Sequence, residues 1–444
     1  MTLEKPTPTP STSQIGLDYD VAIVGGGVTG VTLACAIKDS GLSVALIEAQ
    51  PRSKVIAKEQ SYAISLLSSR VFEGIGVWER ILPQIAQFRH IRLSDANHAG
   101  VVRFETADLG TEVLGYVAEH RTLLSALYEF IEQECPHVSW LSPAEVMGVD
   151  YQDSGVEIEL KVEGEKHQLR SQLLVGADGA RSRIRTGAGI RTWGWQYWQS
   201  CVATTIKHEK SPNDTAFERF WSSGPMGILP LPGNRCQVVW TAPHAEAKAL
   251  KELDEKQFIE KLESYTGGLL GRLELVSDRV LFPVQLMQSD RYVQSRLALI
   301  GDAAHCCHPV GGQGLNLGIR DAAALAQVLQ TTHKRGQDLG NLRSLQTYER
   351  WRKRENLTIL GFTDLLDRMF SNHWLPAVMV RRSGLWMLRR VRPIKTYALQ
   401  LMTGLRGHLP QITKQRGEGG QGDKGTRRNL IFLSPSPPPF IPHP

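Results

Sequence analysis

The segment Val21-Ala22-Ile23-Val24-Gly25-Gly26-Gly27-Val28-Thr29-Gly30 sets the reading of the whole chain. Four apolar residues bounded by Asp20 and a glycine suit a strand covered on both faces of a sheet. A helix is predicted immediately after it, because Val28 to Lys38 is mostly small or aliphatic and Gly41 sits where helices commonly end. Ser43 to Ile47 then reads as a second strand closing on Glu48, eighteen residues beyond Gly30. In such a βαβ unit Gly25 permits the tight turn, Gly27 lets the backbone approach a pyrophosphate, and Gly30 lets the helix pack on the strand. The free N–H groups and dipole of the helix start would hold the phosphate charge, while Glu48 would accept from ribose hydroxyls. An acid at that place disfavours a 2′-phosphate, which leaves FAD or NAD.

Two further glycine segments follow apolar runs of the same kind. They are Gly176-Ala177-Asp178-Gly179 and Gly301-Asp302-Ala303-Ala304-His305, the latter after Leu297-Ala298-Leu299-Ile300. Asp302 falls at the carboxyl end of its strand, where doubly wound sheets bind ligands, and it can accept from the ribityl hydroxyls of a flavin. Beyond it, Gly311-Gly312-Gln313-Gly314-Leu315-Asn316 leads into a helical pattern from Ile319 to Leu329. That second helix start suits the negative N1 and O2 edge of a reduced flavin. One dinucleotide touching all three segments fits them best, and the third segment makes it FAD.

At these residues the chain resembles the class A FAD-dependent aromatic hydroxylases of the p-hydroxybenzoate hydroxylase fold. Within them it is most similar to the ubiquinone-biosynthesis hydroxylases of the 2-polyprenyl-6-methoxyphenol hydroxylase type, which act on polyprenylated phenols. The motifs are Val24 to Gly30 with Glu48, Asp178 to Arg185, and Gly301 to Gly318; Gly115 to Arg121 and Thr215 to Phe220 are lesser matches. The resemblance spans roughly Asp18 to Pro410. Where the family's quinone branch carries Asp and Arg ahead of Ala63-Ile64-Ser65, this chain has Lys58 and Gln60.

The resemblance implies that Gly25, Gly27, Gly30, Glu48, Gln60, Arg121, Asp302, Gly314, Leu315 and Asn316 contact FAD. Asp178 would lie near the pyrophosphate and the path of NAD(P)H. With no second GxGxxG, NAD(P)H would bind only transiently, without a domain of its own. The implied chemistry is oxygen activation as a flavin C4a-hydroperoxide, with the protein positioning an electron-rich ring and excluding water. The catalytic candidates are therefore the residues shaping the pocket over the isoalloxazine: His308, Pro309, Gly311, Gly312 and Gln313, with Arg219 from the opposite sheet.

The expected fold class is α/β. A discontinuous Rossmann-like FAD-binding domain (16–75, 110–185 and 283–365) carries an inserted antiparallel β-sheet substrate domain (76–109 and 186–282) and a C-terminal helical segment (366–412). Phe217, Phe220, Trp221, Val238, Val239 and Trp240 would form the apolar face of the inserted sheet. Residues 1–15 read as disordered, and 413–444 as a low-complexity tail rich in glycine and then proline.

Six scattered cysteines fit free thiols in a reducing compartment. His305-Cys306-Cys307-His308 lacks the ligand spacing of a zinc site, so no metal is expected. Between Asp367 and Glu418 there is no acidic residue, while arginines and lysines alternate with Trp374, Met379, Trp386 and Leu388. A basic amphipathic helix of this kind can lie in a membrane interface. A helical layer packed on the FAD domain with solvated arginines is the plainer reading. The net charge of +6 comes with no nucleic-acid recognition motif, so nucleic acid is not an expected partner.

The leading reading is a cytoplasmic enzyme, peripheral on the inner face of a membrane. It would use FAD, NAD(P)H and O2 to hydroxylate a hydrophobic phenol, as a homo-oligomer or within a quinone-synthesis complex. A flavin halogenase is disfavoured, because Trp193-Gly194-Trp195-Gln196-Tyr197-Trp198 lacks the Ile-Pro ending of that signature. A prenyl-chain reductase and a non-catalytic member of a quinone-synthesis complex compete with the hydroxylase reading.

Overall fold

The computed structural model describes residues 18–95, 101–371 and 374–414. The segment 1–15 and residues 415–444 of the tail lie outside the described residues. The first strand is Asp18–Val24, and the first helix, Val28–Ala36, stops short of Lys38. A short turn of 3-10 helix, Lys38–Ser40, and a left-handed Gly41 finish it. The second strand, Val44–Ile47, lies parallel to the first. On the other side of the first strand come Glu165–Gly176 and then Leu297–Leu299, both parallel. The strands before the three glycine segments are therefore neighbours, and the segments leave the sheet at one edge. Val21 and Ile23 have no exposed surface, and each such burial contributes about 1.5–3 kcal/mol.

A second sheet supplies the opposite wall of the molecule. Its order is His305–Cys306, Val280–Ser289, Thr192–His208, Arg235–Pro243, Gly224–Leu231, Thr215–Trp221, His90–Asp95 and Val101–Glu105. The helices His244–Glu252 and Glu255–Thr266 flank this sheet, and Trp240, Phe258 and Leu262 share one buried cluster. The sheet is not wholly antiparallel as expected: Thr215–Trp221 runs parallel to His90–Asp95. Parallel neighbours need a long crossover, and the chain between these two strands passes through the other sheet.

Two expected domain limits also move. The strand Val280–Ser289 runs through position 283 and belongs wholly to the second sheet. Residues 76–88 do not join that sheet: Trp78 and Ile81 pack into the core of the parallel one, and Ala86–Phe88 pairs with Gly115–Glu119 in a small third sheet. The third glycine segment thus bridges the two large sheets, leaving one at Leu299 and entering the other at His305.

The C-terminal region is helical as expected, with Leu342–Phe370 followed by Leu375–Arg390 and Arg392–Thr403. Not all of its basic residues are solvated. Arg381 is buried against Asp95 at 2.9 Å, and Lys395 meets Asp108 at 2.6 Å. Among the described residues no helix is long and apolar enough to cross a membrane.

Candidate active site

The first and second glycine segments touch. A Cβ on Gly25, whose φ is +119°, would lie 2.3 Å from the Ala177 carbonyl oxygen, and one on Gly30 would lie 2.1 Å from that of Gly25. A Cβ on Gly27 would meet nothing within 4 Å, because that residue opens onto a cavity of about 680 Å³. The Gly26 and Gln50 amides donate to the two carboxylate oxygens of Glu48, each at 2.8 Å. Glu48 is thereby fixed beside the turn, with lone pairs left for hydroxyl donors.

The cavity runs from Gly27 past Asp302 to the loop Pro309–Gly312 and the start of the helix Gln313–Lys334. Gly311 and Gly312 are both left-handed, with φ of +69° and +60°. A Cβ there would press on Met402 Cε (2.4 Å) and Ala63 Cβ (3.0 Å) respectively. The loop is pinned by Asn316, whose Oδ1 accepts from the Ser65 amide (2.8 Å) and the Ser68 hydroxyl (2.7 Å). Its Nδ2 donates to the carbonyls of Ala63 (2.7 Å) and Gly312 (2.8 Å). Gly314 and Leu315 line the cavity at the positive end of the long helix, where no acidic residue stands in the first turn.

Behind this wall lies a buried polar cluster. Asp321 holds His305 Nε2 at 2.6 Å, accepts from Arg352 Nε at 2.7 Å and from the Gly301 amide at 3.1 Å. Burial works against the Asp321 carboxylate, but His305 and Arg352 outweigh it and hold its pKa below the usual carboxylate range. Asp302 faces the cavity from the same turn. The surrounding protein raises its pKa, His305 opposes that rise, and the charge of Asp321 adds to it.

The predicted site residues divide into those on the cavity wall and those behind it. Gly27, Gln60, Asp302, Pro309, Gly311, Gly312, Gln313, Gly314, Leu315 and Asn316 line it. Gly25 and Gly30 serve close packing. Asp178 Oδ2 accepts from the Arg183 and Ile184 amides, so it organises the turn next to the cavity. Arg121 is exposed at the start of the helix His120–Glu134 and does not itself line the wall, although its neighbour His120 does.

Two catalytic expectations need correction. His308 does not face the cavity: its ring is wholly buried, edge-on to Tyr197 at 5.0 Å, with Nδ1 accepting from the Val310 amide. Burial lowers its pKa to about 4, against the opposing charge of Asp364, so it supports the loop from behind as a neutral ring. Arg219 points to the far side of its strand, donating to the Thr266 carbonyl and lying over Trp221. The alternation of strand side chains puts its neighbour Glu218 on the cavity wall instead. Sequence pattern does not single out Glu218, nor Tyr62 and His120, whose hydroxyl and Nδ1 lie 3.1 Å apart on the same wall.

Residues 18–360 match the model of the family described as FAD binding domain. The chain belongs to this family, as an FAD-dependent monooxygenase. This monooxygenase is 56% identical over 394 residues to the uncharacterized protein slr1300 of Synechocystis, covering 89% of this chain and 95% of that one. It is 37% identical to the ubiquinone hydroxylase UbiL of Rhodospirillum rubrum, covering 85% and 87%. It is 33% identical to the 3-demethoxyubiquinol 3-hydroxylase of Escherichia coli, covering 87% and 98%. Its fold matches p-nitrophenol 4-monooxygenase PnpA of Pseudomonas putida with a TM-score of 0.74 at 19% identity, covering 88% and 99%.

The residues present fit FAD. The space above Gly27, the fixed carboxylate of Glu48, the Asp302 carboxyl and the helix start at Gly314 and Leu315 would supply a pyrophosphate seat, two hydroxyl acceptors and a site for a negative ring edge. When bound and reduced by NAD(P)H, FAD supplies the oxygen-activating chemistry.

Proposed function

We propose that this monooxygenase hydroxylates the aromatic ring of a polyprenylated phenol in quinone biosynthesis, taking it at the inner face of a membrane. The observation that carries the reading is the lining of the cavity. Its wall combines polar backbone around Gly27 and Gly314 with the apolar side chains Phe217, Leu229 and Phe282 and with Leu388, Leu399 and Met402 of the C-terminal helices. A ring placed beside the Pro309–Gly312 loop would have apolar side chains of those helices within the same cavity to receive its hydrocarbon tail. Their outer surface combines exposed Met379, Val380 and Trp386 with exposed Arg382, Arg389 and Arg390. Such a surface suits an anionic lipid face, where each basic residue contributes about 1 kcal/mol. The names of the relatives UbiL and 3-demethoxyubiquinol 3-hydroxylase support the same substrate class.

The chain's own residues orient and enclose the ring: the left-handed glycines keep the loop flat, Asn316 fixes it, and the aromatic wall excludes water. The test is hydroxylation of a polyprenylphenol embedded in vesicles, with FAD and NAD(P)H present. Anionic vesicles should give faster turnover than neutral ones, with the advantage shrinking as salt is raised. Equal rates on both would refute the membrane part. Failure to hydroxylate any prenylated phenol would refute the whole.

A further inference from the structure

Asp302 and Glu218 are the two carboxyl groups on the cavity wall among the described residues, and they stand on opposite sheets. Asp302 belongs to the turn that fits the cofactor. Glu218 lies on the strand Thr215–Trp221, in register with Gly227 on one side and Leu93 on the other. Apolar residues dominate its surroundings on that wall, with Phe217, Pro225, Leu229 and Val239 close in the fold. Gly227 leaves room beside it: a Cβ there would come within 3.6 Å of Glu218 Oε2. Its carboxylate meets the Gly311 amide of the flavin-side loop.

We infer that the Glu218 carboxylate receives the phenolic hydroxyl of the substrate, accepting its hydrogen bond and, during oxygen insertion, its proton. The inference rests on the phenol reading above and names the group that activates the ring. A ring lying in the cavity beside the point where the Pro309–Gly312 loop meets the second sheet would have this carboxylate as its polar partner. In the step, the phenol O–H bond breaks and an O–H bond forms on a Glu218 oxygen. The negative charge passes to the phenolate oxygen and into the ring, which makes the ortho and para carbons better targets for an electrophilic oxygen. Once the ring carbon has gained that oxygen from O2, its hydrogen leaves as a proton. Glu218 then returns its own proton to the carbonyl oxygen, restoring an aromatic ring with one more hydroxyl. NAD(P)H provides the electrons that send the second oxygen atom to water.

The environment tunes the group for that work. Burial pushes the Glu218 carboxyl up to about 7, with the Gly311 amide pulling the other way. A base near 7 is a better match to a phenol of pKa ~10 than an exposed glutamate at ~4.3. The neighbouring titratable groups are the Cys201 thiol on the strand Thr192–His208 of the same sheet, which feels the charges of Glu218 and Asp367, and His308 behind the loop. Burial raises the thiol to about 12 and lowers His308 to about 4, so neither changes charge near pH 7. Asp367, on the helix Leu342–Phe370, is raised by its own burial.

The holoenzyme is titrated with ortho-prenylphenol and with its methyl ether, following the flavin absorbance, for the wild-type chain, Glu218→Gln and Glu218→Leu. At about pH 8 the wild type should bind the phenol roughly tenfold or more tighter than the ether, a discrimination that Glu218→Leu should lose while keeping FAD. In the wild type alone, phenol affinity should rise as the carboxyl ionises through about pH 7, whereas ether affinity should not. Glu218→Gln should hydroxylate on the order of 10²–10⁴-fold more slowly and without the acid limb. Unaltered discrimination in Glu218→Leu, a flat phenol titration in the wild type, or normal hydroxylation by Glu218→Gln would each overturn the inference. A wild type that hydroxylates no phenol overturns the functional reading instead.

Discussion

On the parallel-sheet side of the cavity, Asn316 alone makes four hydrogen bonds, and Asp321 ties Gly301, His305 and Arg352 together beneath the wall. On the second-sheet side, the wall is mostly apolar packing, with Phe220 stacked on Phe370 at 3.8 Å and, among the described residues, a single carboxyl at Glu218. The difference follows from what each side must hold. A dinucleotide presents fixed charges and hydroxyls, so its seat is built of directed backbone groups that need buried polar support. A hydrophobic ring needs area and one oriented partner.

If the polar support is what shapes the cofactor side, the heaviest damage should come from Asp321→Leu, which strands His305 and leaves Arg352 only Glu355 and Asn356 as partners. We expect a loss of about 3–5 kcal/mol in denaturant unfolding, together with poor FAD retention. A loss under about 1 kcal/mol would show that the cluster is dispensable. Next comes His308. Its pKa of about 4 in the fold against 6.5 when unfolded means that the unfolded chain takes up the proton first as pH falls. Stability should therefore drop between pH 6.5 and about 4, by about 3 kcal/mol from this group. In His308→Asn that acid-side slope should flatten, as read by melting temperature against pH. An unchanged slope would mean that the ring is not held neutral.

Asn316→Leu should cost about 2 kcal/mol, since it strands the Ser65 amide and two carbonyls, and should weaken FAD binding more than phenol binding. Equal weakening of both would blur the contrast between the two walls. The smallest effect on folding, within about 0.5 kcal/mol, is expected for Trp386→Ala combined with Arg389→Gln on the outer helix. That pair should instead lower flotation with anionic vesicles, and unchanged flotation would remove these helices from the membrane account.

The two sides are also unequally legible in the sequence. Local spacing suffices for the cofactor turn: an apolar run, three glycines, a helix and an acid at a set distance occur within one βαβ unit. The roles of Asn316 and Asp321 are not readable in this way, because their partners at Ala63, Ser65 and Arg352 are brought near only by the folded sheets. On the second sheet, alternation separates Glu218 from Arg219, but it does not say which face meets the cavity. That depends on the Gly311 loop, which is remote in sequence. His308 misleads for the opposite reason. It sits beside true wall residues in the chain, yet the turn at Pro309 sends its ring backward against Tyr197.

Both walls, on this account, serve one oxygen-inserting site. The most direct test is turnover of ortho-prenylphenol by the FAD-loaded enzyme with NAD(P)H under heavy-oxygen-labelled O2. Each molecule of hydroxylated product should carry one labelled oxygen atom, matched to one NAD(P)H oxidised. A product hydroxyl carrying solvent oxygen, or NAD(P)H consumed with no hydroxylated ring, would contradict it.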